Sequence, residues 1–186
     1  MNRSLEIRVV GLGNLMRTDD AVGMLALRGL TQAAGFPPGV EVIEGGTLGL
    51  DLLHVFYGVS HLLVLDAVDT GSPPGTLVRF EDQELSRLPV SRSVHLLGLS
   101  DLMNVLELMG APPMKVVLLG VQPASTDWGT TLTADVHAAQ AALIEQALEQ
   151  IARWTAEIAG SAAPVQQQLV RFASQVGRTD AVVIAP

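Results

Sequence analysis

The sequence predicts an α/β protein: a three-layer sandwich in which a twisted, mostly parallel β-sheet carries helices on both faces. Three observations predict it. Stretches of strand pattern alternate with stretches of helical pattern, the order expected of layered α/β folds. Two strand runs, HLLVLDAV at 61–68 and KVVLLGV at 115–121, are almost continuously apolar, as strands covered on both faces must be. With 48% hydrophobic and 16% charged residues in a chain of 186, there is enough apolar material for a substantial core.

Each element has a local reason. Residues 5–11 read as a first buried strand. It runs into a Gly-x-Gly-Asn turn at Gly11–Asn14, followed by an acidic pair, Asp19 and Asp20. A helix to about Ala33 follows, with Thr18 or Asp19 as its expected cap, since a short side-chain oxygen can accept from the free N–H groups of a first turn. GFPPG at 35–39 stops that helix. Val40, Val42 and Ile43 form a second strand ending in Glu44-Gly45-Gly46-Thr47, and 48–57 have helical spacing. The third strand, 61–68, carries Asp66 near its end. After the turn GSPPG, Thr76–Phe80 read as a strand placed antiparallel by its short connection. Residues 81–93 are irregular. The run SVHLLGLSDLMNVLELMG reads as a helix, with Ser93 as cap and His95 in the first turn. The strand 115–121 and a long amphipathic helix, 133–154, complete the pattern. The expected division is one domain over 1–158 and a C-terminal tail over 159–186.

Composition excludes several functions. There are no cysteines, so thiol nucleophiles, thiolate zinc sites, disulfides and iron–sulfur clusters are ruled out, and any metal must be held by oxygen and imidazole. A net charge of −8 argues against nucleic-acid or anionic-membrane binding. No apolar run reaches membrane-spanning length. The start of the chain has strand pattern and no signal-peptide pattern, so a cytoplasmic location is expected. Gly11-x-Gly13 lacks the third glycine of the dinucleotide fingerprint, Met16 standing in its place. No Walker-type loop and no Gly-x-Ser-x-Gly elbow occurs.

Four groups are expected to collect at strand ends and helix starts: Asp20, Glu44, Asp66 and His95. In an open α/β sheet that is where ligands bind. Each has a plainer alternative. Asp20 fits the first turn of a helix, where the dipole favours a carboxylate, while Asp66 could cap a turn. Glu44 could be a polar strand end, and His95 a buried, hydrogen-bonded histidine. Taken together, two carboxylates and an imidazole suit a borderline divalent cation such as zinc or nickel.

Beyond spacing, the motifs VVGLGNLMRTDDAVG, IEGGTLGLDLL, LLVLDAV, PPGTL, SVHLLGLSDLM and VVLLGVQP occur in one order from about residue 7 to residue 154. They resemble the maturation endopeptidases of [NiFe]-hydrogenases. The resemblance implies a twisted sheet between helix layers. It also implies an activity: removal of a C-terminal extension from the hydrogenase large-subunit precursor after nickel insertion. Carried over by position, the metal-contacting groups are Asp20, Asp66 and His95. The first is commonly Glu in relatives, and Glu44 stands where Asp is common. The nickel would be carried by the substrate, with another divalent metal as an alternative occupant of the isolated protein. Asp20 or Glu44 would assist attack by water. Gly13, Asn14, Gly45, Gly46 and Thr47 would line the substrate path. The expected partner is the large-subunit precursor, and the expected state is a monomer.

Two other readings remain open at this point. One is a nickel-dependent binding or chaperone protein on the same scaffold that does not cleave. The other is a peptidyl-tRNA hydrolase, which shares the opening strand and Gly-Leu-Gly-Asn. There, however, Pro-Gly follows the Asn; here Leu15-Met16 follow, and no histidine precedes His54.

Overall fold

The computed structural model describes residues 7–33, 36–47, 50–87 and 94–160, with the side chains of 33, 50, 83, 86, 87, 94–98 and 100 outside the description. Five strands form one sheet: β1 (Ile7–Leu12), β2 (Val40–Gly46), β3 (His61–Ala67), β4 (Leu77–Glu81) and β5 (Lys115–Val121). Their spatial order is β2-β1-β3-β5-β4. All neighbours are parallel except β4, which runs antiparallel to β5 at the edge. The α-helices are α1 (Val22–Ala33), α2 (Leu53–Phe56), α3 (Val94–Leu108) and α4 (Ala134–Ile158).

Strand alternation divides the core in two. Ile7, Val9, Leu63, Leu65, Val117 and Leu119 face α1 and α4, where they pack with Leu27, Leu30, Leu143, Ile151 and Trp154. Val10, Leu62, Val64, Val116 and Leu118 face the other way, onto Phe56 of α2 and Leu99, Leu102 and Leu106 of α3. Both faces are therefore dry, and β3 is buried from His61 to Ala67. This is the physical origin of the unbroken apolar runs.

The sandwich matches the expectation, with three local differences. The strand after GSPPG is antiparallel as expected, and its partner is β5. A chain leaving the buried centre of a sheet cannot turn back beside itself when a parallel neighbour already occupies that side. The helical pattern of 48–57 yields only a 3₁₀ turn at Leu50–Leu52 and the short α2, because Gly58 follows at φ +80°; 48 and 49 lie outside the described residues. A 3₁₀ turn at Asp82–Arg87 occupies part of the stretch read as irregular. Helix α4 continues a turn past Trp154 to Ile158. Ser93 and the tail from 161 lie outside the described residues. Among those described, no helix is long and apolar enough to cross a membrane.

Helix α1 approaches the sheet ends very closely. A Cβ on Gly23 would collide with the carbonyl oxygens of Leu65 and Leu12. That closeness seats the segment leading into α1 on top of β3.

Candidate active site

Strand β1 ends at Leu12 and the chain turns sharply. Gly13 has φ +126°, and a Cβ there would strike the Asp20 carbonyl. Both facts demand glycine. Asn14 closes the turn with its side chain, Oδ1 accepting the Met16 N–H at 2.9 Å, and its carbonyl accepts the Arg17 N–H at 3.0 Å. A 3₁₀ turn, Thr18–Ala21, then leads into α1.

Two neighbouring carboxylates diverge here. Asp20 is half-buried and turns back to the glycine turn, its Oδ2 accepting the Asn14 N–H at 2.9 Å. Asp19 is fully buried and points the other way. It accepts the N–H groups of Ala124, Ser125 and Thr133 at 2.8, 3.1 and 2.7 Å, and the Thr133 hydroxyl at 2.9 Å. The expected capping of α1 by Thr18 or Asp19 is therefore corrected. Asp19 fastens the loop between β5 and α4, and the Thr18 hydroxyl donates to the Ser125 carbonyl at 2.6 Å. Thr133 is the residue preceding α4, so the long-range tie serves that helix rather than α1.

The two glycine segments meet. The Gly13 N–H donates to the Gly46 carbonyl at 2.9 Å, and Leu12 pairs with Gly46 across a register shift after Gly11. Gly45 is buried against Val10 and Leu12, while Thr47 is exposed. Gly13, Asn14, Gly45, Gly46 and Thr47 thus form one rim at the C-terminal ends of β1 and β2.

Asp66 is the penultimate residue of β3 and is fully buried. Its Oδ1 accepts the Ala67 N–H at 2.8 Å. By strand alternation it follows Leu62 and Val64 on the face covered by α3. His95 is the second residue of α3; its side chain lies outside the described residues. Among the described residues, no three acidic or imidazole side chains form a group able to hold a metal ion.

Glu44 stands apart from Asp66. Gly11 pairs with Glu44 on one side and Leu65 on the other. Parallel partners share a face, so Glu44 lies on the α1 side. There Arg28 grips it through two hydrogen bonds, Nε to Oε1 at 2.7 Å and Nη2 to Oε2 at 3.0 Å. The Arg28 hydrogen bond lowers the Glu44 pKa, with desolvation opposing.

One polar residue was passed over in reading the sequence. Gln122 follows β5 and is buried. Its Oε1 accepts the N–H and hydroxyl of Thr70 at 2.6 and 3.0 Å, and its Nε2 donates to Asp69 at 3.0 Å. It fixes the loop that follows Asp66. The available signal was a polar residue closing an apolar strand, the same one that singled out Asp66.

A layered α/β sheet with a glycine-built rim and carboxylates at its parallel strand ends places the candidate site where ligands of open α/β sheets bind. A family model described as hydrogenase maturation protease matches residues 25–150, and the chain belongs to that family. It is 38% identical over 149 residues to the hydrogenase 2 maturation protease of Escherichia coli K12, covering 79% of this chain and 88% of that one. It is 34% identical over 148 residues to the hydrogenase expression/formation protein HoxM of Cupriavidus necator, covering 78% and 73%. Among solved structures, the hydrogenase-maturating endopeptidase HybD from E. coli superposes with a TM-score of 0.73 at 34% identity, covering 78% of this chain and 91% of that one.

Proposed function

We propose that this peptidase removes the C-terminal extension of a [NiFe]-hydrogenase large-subunit precursor after nickel has been inserted. The nickel belongs to the substrate. Asp20, Asp66 and His95 would read it, so a precursor without nickel offers no anchor. The observation that supports this reading is the position of Asp20 in the turn that follows β1 and of Asp66 at the end of the adjacent parallel strand β3, near the rim joined by Gly13 and Gly46. Helix α3, which begins with Val94-His95, covers the face of β3 that Asp66 shares.

Docking by nickel fixes the scissile peptide and makes the attack effectively intramolecular. A water oxygen adds to the scissile carbonyl carbon while a carboxylate takes its proton, and the proton then passes to the leaving amine nitrogen. Asp20 is the better placed base of the two candidates. Its carboxylate is held on the rim, whereas the Glu44 carboxylate is bidentately bound by Arg28 and made less basic by it. The rim glycines bring peptide backbone close to the substrate path without side chains in the way.

Incubation of the purified chain with nickel-loaded and nickel-free precursor tests the reading, with shortening of the large subunit followed by mass spectrometry. Cleavage of the loaded form alone is expected. Equal cleavage of both forms would overturn nickel recognition, and stable co-elution without shortening would make the protein a binder. His95→Ala is expected to abolish the preference for the loaded precursor.

A further inference from the structure

The turn that carries Asp20 is locked to the loop between β5 and α4 by an unusually dense set of bonds. The Thr18 N–H donates to the Gly129 carbonyl at 2.9 Å and the Gly129 N–H to the Met16 carbonyl at 3.0 Å, forming a short parallel bridge. The Thr18 hydroxyl and the Asp19 carboxylate add bonds to Ser125, Ala124 and Thr133. Arg17 Nε donates to the Thr126 carbonyl at 2.8 Å, and its guanidinium lies 5.8 Å from the centre of the Trp128 ring. Thr18 is held at φ +29°, a conformation disfavoured for a β-branched residue, so the surrounding bonds must impose it.

This rigid double segment presents apolar groups to water. Trp128 is 78% exposed and Met16 is 56% exposed, with the cationic Arg17 between them. Among the described residues, no carboxylate pairs with Arg17. An exposed Trp, Met and Arg on a fixed backbone is the composition of an interface centre rather than of ordinary surface. Its location selects the occupant. Arg17 bonds through its backbone to both Asn14 and Asp20, so the patch is continuous with the rim where the scissile peptide must lie. A chain with net charge −8 offers few cationic places to dock, and this is one.

We infer that Met16, Arg17 and Trp128 form the docking platform for the polypeptide substrate next to its cleavage point. A bulky apolar side chain of the substrate lies on Met16 and the Trp128 ring, and a substrate oxygen accepts from the Arg17 guanidinium. The inference rests on the proposed processing of a large-subunit precursor and adds the surface that selects it.

The chain has two tryptophans, and Trp154 is buried in the core. Protein labelled with 5-fluorotryptophan therefore reports on the platform by ¹⁹F NMR, with Trp154 as internal reference. On adding nickel-loaded, unlabelled precursor, the Trp128 signal is expected to shift while Trp154 stays. Trp128→Ala and Met16→Ser are each expected to raise KM for precursor about tenfold with kcat within about twofold. Leu108→Ala, at another exposed apolar position, should leave both constants unchanged. If wild-type protein processes the precursor while the Trp128 signal is static and the KM values do not move, the platform is refuted and the processing function stands. If wild-type protein neither binds nor processes the precursor, both fall together.

Discussion

The carboxylate of Asp19 receives both hydrogen bonds that Thr133 can direct at it, the backbone N–H at 2.7 Å and the hydroxyl at 2.9 Å. Its neighbour Asp20 makes no part of that contact and bonds instead to the Asn14 N–H. One carboxylate builds the scaffold and the next is presented by it.

Asp19→Ala removes an acceptor that serves four donors in a fully buried place. Stranding buried donors is expected to cost about 3 kcal/mol or more. In a domain of this size that lowers Tm by roughly 6–12 °C. Thermal unfolding followed by circular dichroism measures it. A loss below about 1 kcal/mol would show that water replaces the carboxylate without difficulty.

Asp20→Ala should behave in the opposite way, with near-normal stability and processing reduced by about 100-fold or more, the scale of a lost general base. Asp20→Glu keeps a carboxylate and moves it by one methylene, so processing should remain within about tenfold of wild type. Single-turnover cleavage of loaded precursor separates the two. Equal loss in both variants would remove the carboxylate of residue 20 from the reaction.

The Glu44–Arg28 pair is about half exposed on both sides. Its net worth is accordingly below about 1 kcal/mol. The Arg28 hydrogen bond lowers the Glu44 pKa. The pair's contribution is therefore present above the ordinary carboxylate pKa and fades as pH falls through the lowered value. Glu44→Gln should change stability little and leave processing within about threefold, a small effect beside that of a lost general base. A 100-fold loss of processing would return Glu44 to the reaction as its base.

His61 begins β3 at the far end of the sheet. It packs against Trp154 with ring centroids 5.0 Å apart, and it is buried. Burial lowers its pKa, Lys115 adds to the lowering, and Glu157 opposes it. A histidine kept neutral in the folded state binds fewer protons than in the unfolded chain. Stability is therefore complete above the ordinary imidazole pKa and declines as pH falls below about 6.5 towards the lowered value. Tm measured from pH 8 to 5 should show this decline, and His61→Phe, which keeps an aromatic ring beside Trp154, should flatten it. An unchanged profile in the variant would assign the pH dependence to other groups.

Much of the fold was legible because the sheet is covered on both sides. In β3 and β5 every position but Asp66 is apolar, glycine or terminal, so periodicity needs no help from partners. Of the candidate site, only the placement of its residues at element ends was legible. Asp66 and Asp20 stood out as carboxylates where a buried strand or a helix begins or ends. The separation of Glu44 from Asp66 was not visible, because it depends on which residues pair across β1, and register is set by the assembled sheet. The role of Asp19 was hidden for a similar reason. Its partners lie 105 to 114 residues further on, and a local reading offers only the nearer explanation of a helix cap.

The bonds from Asp19 to Ala124, Ser125 and Thr133 also have a bearing on biosynthesis. The turn bearing Asp20 comes from about the first tenth of the chain, yet the residues that clamp it, Ala124, Ser125 and Thr133, follow only after roughly two thirds of it has been made. Closing a loop of that length has to wait for the strands between to assemble. A chain that ends before Ala124 lacks every bond of that clamp, so the tie between the turn and the rest of the fold forms only once β5 and the start of α4 are in place.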